Sequence, residues 1–132
     1  MEVMPMALFD TTAIAAAANA DGEFQLAARL WNTDLRFDVG DDSYLLRMRD
    51  GRIAEFAPLG ASAASSVNTD AQISAPLDDW QELLKPVPKP FYQDLMAAVT
   101  RHNFKIEGDL TGFHPYYRAT CRLIELMRQS RS

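Results

Sequence analysis

The sequence contains few of the residues from which chemical sites are usually built. Its 132 residues include one cysteine, Cys121, and two histidines, His102 and His114. A single cysteine cannot form a disulfide within the chain, which favours a reducing compartment and a buried, inert thiol. The two histidines are twelve residues apart, a spacing that fits no zinc signature. We therefore expect no metal and no cofactor.

The chain also lacks basic runs and long apolar runs. Lys and Arg number 13 against 18 Asp and Glu, which leaves a net charge of −5. Phosphate contacts need clustered cations, so we expect no nucleic-acid partner. No stretch approaches the roughly eighteen apolar residues of a membrane-spanning helix. No Lys or Arg precedes the Ala-rich stretch 13–20, although a secretory signal requires positive charge there. These features predict a cytoplasmic protein with no integral membrane segment.

Catalytic motifs are missing as well, since there is no Gly-rich phosphate loop and no Gly-x-Ser-x-Gly nucleophile turn. Glu107 and Asp109 flank Gly108, and two positions apart on a strand they point the same way, as an acid–base pair requires. A structural role is simpler, because an aspartate at such a junction often binds backbone amides of the turn. We expect this structural role and no catalytic residue.

The first half of the chain has the pattern of a helix followed by a meander of strands. An Ala-rich stretch after good N-cap residues predicts a helix over residues 11–20. From residue 24 to residue 57 apolar and polar residues alternate with period two, and turn signals such as Asp50-Gly51 interrupt them. This pattern predicts four antiparallel strands, the first of them over residues 24–31.

The second half begins with residues 58–69, which lack any period and predict either a surface loop or a mobile flap over a pocket. Residues 71–75 predict a short fifth strand. The helix that follows carries Trp80, and aspartates 78 and 79 favour its start because the helix dipole attracts negative charge there.

The rest of the chain predicts two helices separated by a strand. Prolines make residues 85–90 a rigid spacer, and Pro90 can open a helix over residues 91–101. A last strand is predicted at 104–107, and a last helix begins at Pro115, because proline disfavours a helical conformation in the residue before it.

Three short motifs carry a family resemblance: Asp-Gly at residues 50–51, the strand at 71–74 leading to Asp-Asp-Trp at 78–80, and Lys-Ile-Glu-Gly-Asp-Leu at 105–110. With the order of predicted elements, they make residues 24–125 similar to the sterol carrier protein 2 (SCP2) family. The resemblance implies an α+β fold, with a mainly antiparallel, curved sheet of five to six strands covered on one face by helices. It also implies a single domain over residues 1–132, with a core of roughly 24–128 after the N-terminal helix.

The resemblance implies a non-enzymatic function, which is binding or transfer of a sterol, a fatty acid or another apolar or aromatic small molecule. Such a ligand would lie in a tunnel between the sheet and the helices. The candidate ligand contacts are apolar positions with strand or helix period: Phe37, Leu46, Met48, Phe56, Ile73, Trp80, Leu84, Phe91, Leu95, Phe104, Phe113, Tyr117, Cys121 and Ile124. The same positions are expected of an ordinary packed core, because core and lining residues are both apolar with the same period.

The chain departs from the family pattern at the spacer 85–90 with its following helix, and at bulky Tyr116 and Tyr117. These features can narrow, redirect or close the tunnel. Two other functions therefore stay open. One is a small cone-shaped isomerase or hydratase with His102, Asp109 and Tyr116 in its cavity. The other is a ligand-free interaction module in which the spacer docks a protein partner, and a homodimer also stays open.

Arg47 and Arg49 share one face of a predicted strand with Leu45. A solvated sheet face is the simpler interpretation. The functional alternative is that one of these guanidinium groups binds the carboxylate of a ligand at the end of the tunnel.

Overall fold

The structure, a computed structural model, describes residues 8–60 and 66–131, and the side chains of all of these except residue 131. The helices are α1 Thr11–Ala20, α2 Gly22–Ala27, α3 Leu77–Leu83, α4 Leu95–Arg101 and α5 Tyr117–Arg131, with a 3₁₀ turn at His114–Tyr116. The strands are β1 Thr33–Val39, β2 Asp42–Arg49, β3 Arg52–Leu59, β4 Ala71–Ala75 and β5 Lys105–Gly108. None of the helices in the described ranges is long and apolar enough to cross a membrane.

The five strands form one sheet in the order β3-β2-β1-β4-β5. Three of the four neighbouring pairs are antiparallel, and β1 pairs with β4 in parallel. The sheet is therefore mainly antiparallel, and the predicted α+β class with five to six strands is confirmed. The helices lie on the sheet face that carries Leu35, Phe37 and Val39, all of which are buried.

The predicted first strand at 24–31 is wrong, and the meander has three strands rather than four. Residues 22–27 form α2, because the Asp21 carboxylate accepts a hydrogen bond from the Phe24 amide at 2.8 Å and caps the helix. The apolar residues that suggested alternation fit a helix equally well. Phe24 and Ala28, four residues apart, are buried, while Leu26 is 74% exposed.

The helix predicted over 91–101 starts later, at Leu95. Asp94 caps it by accepting a hydrogen bond from the Ala97 amide at 3.1 Å. Phe91 has a φ of +69°, which no residue of a right-handed helix adopts, so Pro90 does not open this helix. The last helix also differs slightly from the prediction, because a 3₁₀ turn that already includes His114 precedes α5. The suggested flap at 58–69 lies partly outside the described residues.

Gly108 explains the Lys-Ile-Glu-Gly-Asp motif. Its φ is +105°, and a Cβ at this position would overlap the carbonyl oxygen of Asp70. That oxygen instead accepts a hydrogen bond from the Asp109 amide at 2.7 Å. Asp70 also joins the start of β1, since its carboxylate accepts from the Asp34 amide at 2.8 Å. The motif is therefore the point at which β5 is fastened to the starts of β1 and β4.

One edge of the sheet is protected by a side chain of α1. Asn19 accepts a hydrogen bond from the Ile53 amide at 2.9 Å and donates to the Ile53 carbonyl at 3.0 Å. These are the outward backbone groups at the start of β3, the strand at that edge. Helix α1 also packs against β3 and α5, and α2 packs against α5. The two N-terminal helices are thus held between the β3 edge of the sheet and the C-terminal helix.

Arg47 and Arg49 lie on the sheet face that points away from the helices. Arg49 pairs with Asp34 at 2.9 Å, and Arg47 lies 4.0 Å from Glu55. The simpler interpretation, a polar outer face, is the one that the structure supports. Neither arginine points into the space between sheet and helices, where a ligand carboxylate would need it.

Candidate functional site

Most of the candidate ligand contacts belong to the packed interior. Eleven of the fourteen are buried: Phe37, Leu46, Met48, Phe56, Ile73, Trp80, Leu84, Leu95, Phe104, Phe113 and Ile124. An aromatic cluster at their centre places Trp80 5.9 Å from Phe37 and 4.9 Å from Phe104, measured between ring centroids. The Trp80 indole donates to the Asp38 carbonyl at 2.8 Å, so its polar atom is satisfied. These residues hold the sheet to the helices, and a role as ligand contacts stays a prediction for them.

The other three candidates are more accessible. Phe91 is 44% exposed, and the Arg101 guanidinium lies 4.9 Å from the centre of its ring. Tyr117 and Cys121 are half-buried and face an open hollow of about 730 Å³ between α2 and α5. We call this hollow the α2–α5 groove. Its lining residues are Glu23, Leu26, Ala27, Pro115, Tyr117, Arg118, Cys121, Arg122 and Glu125.

The groove follows from the local structure of its two walls. Tyr117 and Cys121 are four residues apart on α5 and so lie on one side of the helix. On the opposite wall α2 buries Phe24 and leaves Leu26 74% exposed over the hollow. The groove therefore offers apolar surface to solvent on both of its walls. The groove does not follow from the predicted elements, because residues 24–31 are predicted as a strand and α2 is missed.

Arg122 fixes the distance between the two walls. Its guanidinium contacts Asp21 at 2.8 Å, Glu23 at 3.0 Å and Glu125 at 2.9 Å. The hydrogen bond from Arg122, supported by the Phe24 amide, lowers the pKa of Asp21 from 3.8 to about 2. The same contacts raise the pKa of Arg122, and the hydrogen bond to Asp21 is the main cause of this rise. One cation thus ties α2 to α5 through a network of charges.

Two smaller hollows continue the groove along α5. A hollow of about 70 Å³ is lined by Leu95, Ile124 and Cys121 among others, and it shares Cys121 and Glu125 with the groove. A hollow of about 310 Å³ is lined by Pro86, Glu125, Arg128 and Gln129. Because neighbouring hollows share residues, the three follow one another along a single side of α5. We call the whole path the α5 channel.

The segment 85–94 forms the wall of the channel opposite the end of α5, and polar contacts hold it in place. The Tyr92 hydroxyl donates to Asp79 at 2.5 Å, and the Glu82 carboxylate accepts from the Lys89 amide at 2.9 Å. Burial, followed by the hydrogen bond with Asp79, raises the pKa of Tyr92 to about 12. The segment 85–94 is therefore anchored to α3 at two points.

Two groups of the channel, the Tyr117 hydroxyl and the Cys121 thiol, can be considered for chemistry. The Tyr117 hydroxyl donates to Asp94 at 3.0 Å and accepts from the Met96 amide at 3.0 Å. Burial is the main cause that raises the pKa of Tyr117 and also the pKa of the Cys121 thiol. A thiol held in its neutral form is a poor nucleophile. The arrangement suits binding better than covalent catalysis.

The polar residues suggested for an enzyme cavity are each engaged elsewhere. His102 stacks on Tyr92 with 3.7 Å between ring centroids, and Tyr116 stacks on Trp31 at 5.1 Å. Asp109 accepts from the Thr111 amide at 3.1 Å, which confirms its expected role in the turn. The hydrogen bonds from Thr111 lower the pKa of Asp109. None of these three candidates lines the α5 channel.

A second, polar cleft of about 640 Å³ lies on the outer face of the sheet, and sequence analysis did not anticipate it. It is lined by Arg36, Asp38, Gly40, Asp41, Ser43, Ser74, Ala75, Pro76, Asn103 and Lys105. Arg36 pairs with Asp38 at 2.7 Å inside the cleft, so its best-placed charges satisfy each other. Several of the lining residues lie at outward positions of four strands, so predicting the cleft would require the register of those strands.

No protein-family model and no curated protein matches this sequence. Solved structures do match its fold. A crystal structure of sterol carrier protein 2 superposes with a TM-score of 0.72 and 21% identity, covering 90% of this chain and 93% of that one. A Thermus thermophilus protein described as a candidate sterol carrier protein gives a TM-score of 0.71 with 21% identity, over 98% and 90% of the two chains.

A UbiJ-SCP2 ubiquinone synthesis protein is also similar, with a TM-score of 0.57 and 17% identity, covering 89% of this chain and 90% of that chain. At these identities the comparisons bear on the fold alone. They confirm the resemblance derived from the motifs at 50–51, 71–80 and 105–110. The chain has an SCP2-like fold.

Proposed function

We propose that this protein is a non-enzymatic carrier that binds a hydrophobic small molecule or lipid in the α5 channel. The observation that carries the proposal is the α2–α5 groove, where Leu26 is 74% exposed beside half-buried Tyr117 and Cys121. Isolated exposed leucines are common on proteins, but this one overhangs a hollow with apolar groups on its opposite wall. An apolar ligand in the hollow would remove all three side chains from water.

The SCP2-like fold supports the same function. Similar structures are described as sterol carrier proteins, and this chain keeps the layer of helices over the sheet. The ligand site proposed here differs from a tunnel through the interior, because eleven of the candidate residues are already packed together. Leu95 and Ile124 are the two of these residues that line the α5 channel. In our proposal the ligand contacts Leu26, Tyr117 and Cys121 directly.

Burial of apolar surface would supply the affinity. Each 100 Å² removed from water contributes about 2.5 kcal/mol, less the cost of ordering the ligand and the side chains. Nothing in this estimate selects one apolar molecule over another. Shape and any polar contact at the end of the channel would therefore decide which ligand is preferred.

The first experiment is native mass spectrometry of the purified protein, followed by organic extraction of any bound compound. A stoichiometric lipid or aromatic molecule would support the carrier function and give its chemical class. Protein that is free of ligand, and whose melting temperature hexadecanoic acid and cholesterol leave unchanged, would contradict it.

Two exposed leucines allow the site to be tested directly. Leu26→Asp places a charge over the groove and should weaken ligand binding by about tenfold or more, because the carboxylate must be desolvated. Leu30→Asp is the matched control. Leu30 is 69% exposed and does not line the groove, so its substitution should leave the affinity unchanged. Equal effects of the two substitutions would place the ligand elsewhere.

A further inference from the structure

Arg128 is the cation at the far end of the α5 channel. It is half-buried and lines both of the smaller hollows. Its Nε donates to the Leu83 carbonyl at 2.7 Å, and its Nη2 donates to the carbonyls of Tyr92 and Gln93 at 3.0 Å and 3.1 Å. These bonds fix the guanidinium between the end of α3 and the segment 85–94.

No described carboxylate forms an ion pair with Arg128, and this distinguishes it from Arg122, which contacts three. Glu125 and Asp94 are the acidic groups whose charges act on Arg128, and both have other partners. Glu125 pairs with Arg122 at 2.9 Å, and Asp94 accepts hydrogen bonds from Tyr117 and from an amide in the first turn of α4. The direct partners of Arg128 are thus carbonyl oxygens. Burying a charge is costly unless an opposite charge accompanies it closely, so this guanidinium retains a desolvation cost.

Burial and neighbouring charges act on Arg128 in opposite directions. Burial lowers the pKa of Arg128, while the charges of Glu125 and Asp94 raise it. The group stays a cation, since a guanidinium is not deprotonated in proteins. An anion bound beside Arg128 would therefore relieve an existing desolvation cost rather than create a new one.

One nitrogen of Arg128 is left for a ligand. In the described part of the chain Nε and Nη2 have partners, while Nη1 makes no hydrogen bond. The hollow of about 310 Å³ beside it gives room for a small head group. We propose that Arg128 binds the carboxylate of an acyl-chain ligand, whose chain runs along α5 towards the α2–α5 groove. This inference rests on the proposed function.

The length of the channel and the apolar residues along it fit such a ligand. Tyr117 and Arg128 are separated by eleven positions of the helix, or roughly 16 Å at 1.5 Å per residue. This distance is of the same order as an extended fatty acyl chain. Along the way the channel presents apolar Ile124, Cys121 and finally Leu26, beside the carboxylates of Asp94 and Glu125. A cation therefore stands at one end of the path and exposed apolar surface at the other.

Arg118, at the opposite end of the channel, is the competing anchor. It lines the α2–α5 groove but is exposed. An exposed guanidinium contributes little to ion pairing, because water and salt screen it. The structure thus favours a head group at Arg128 over the reverse orientation.

The first test compares hexadecanoic acid with 1-hexadecanol, two probes that share a chain and differ in the head group. At about pH 8, where a carboxylic acid is ionised, wild-type protein should bind the acid about tenfold more tightly than the alcohol, since a fixed cation favours the anion. Arg128→Gln should remove this preference, so that the ratio of the two affinities falls to about one. Arg118→Gln, the matched control, should keep it. Loss of the preference in Arg118→Gln, or its persistence in Arg128→Gln, overturns the proposal.

Arg128 also supports the fold through its three carbonyl contacts, so a second test uses wild-type protein. Octadecanoic acid that carries a nitroxide near the carboxylate should broaden the amide resonances of residues 91–94 and 125–129. A nitroxide near the methyl end should instead broaden those of residues 26–27 and 117–118. The reversed pattern overturns the proposal. If 1-hexadecanol binds without any preference for the acid, the carrier function stands and the Arg128 anchor fails. If neither probe binds folded protein, both fail.

Discussion

The interior around Trp80 and the α5 channel both contain apolar side chains but use them differently. Trp80 is completely buried between the sheet and its helices, with its indole nitrogen satisfied by Asp38. Leu26 and Tyr117 leave apolar surface open to solvent. Apolar side chains of the interior are covered by other side chains of the protein on all sides. Those of the channel contact the protein on one side only, so a ligand can cover the other side.

The largest effect should come from breaking the interior. Trp80→Ala removes a fully buried indole and leaves a cavity, so the free energy of unfolding should fall by about 3–5 kcal/mol. Leu26→Ala, at an exposed position, should change it by less than about 0.5 kcal/mol. Urea denaturation of the two variants measures both values. Similar losses in the two would mean that the groove is part of the core.

The next effect concerns the fastening of β5 to the sheet. Gly108→Ala adds a methyl group against the Asp70 carbonyl at a φ of +105°, and we expect a loss of about 2–3 kcal/mol. Gly112→Ala is the matched control, because nothing lies within 4 Å of a Cβ there. If both substitutions prove harmless in thermal denaturation, the motif at 105–110 does not have the structural role assigned to it.

The smallest effect should appear at the wall of the groove and only at acid pH. The pKa of Asp21 is lowered from 3.8 to about 2 in the folded protein, chiefly by Arg122. Its contribution to stability is therefore full above about pH 4 and is lost as the pH falls towards about 2. Asp21→Asn keeps a good N-cap residue for α2 but loses the charge.

Melting temperatures of wild type and Asp21→Asn test this sign. The advantage of the wild type should be constant near pH 6 and should shrink as the pH approaches about 2. Asp41→Asn, at an exposed position outside α2, provides the control. An advantage that is the same at both pH values would show that the charge of Asp21 does not fasten α2 to α5.

Sequence alone predicted the elements whose signals are local. Asp50-Gly51 marked the turn between β2 and β3, and the stripe around Trp80 marked α3. The error at 24–31 arose because Phe24 and Ala28 are spaced for a helix, while the intervening Leu26 gives them the alternation of a strand. The hydrogen bond that the Phe24 amide donates to Asp21 favours the helix over the strand, and a short helix of this kind has no other local signature.

The candidate site was harder to predict than the fold. Tyr117 and Cys121 were identified as candidate contacts because of their helical spacing, but the groove exists only because α2 packs beside α5. Arg128 gave no signal as a binding residue, since its significance depends on carbonyls contributed by α3 and the segment 85–94. Contacts between residues far apart in sequence do not follow from periodicity.

The two hydrogen bonds between Asn19 and Ile53 affect how readily molecules of this protein associate through their sheets. A sheet that ends in unpaired strands invites the strands of other molecules to add to it, which leads to aggregation. Asn19 occupies the backbone amide and carbonyl of Ile53 much as a further strand would, and Pro58, near the other end of β3, has no N–H to offer. The opposite edge, β5, has only four residues. A chain that exposes apolar groups in its channel thus restricts self-association through the edges of its sheet.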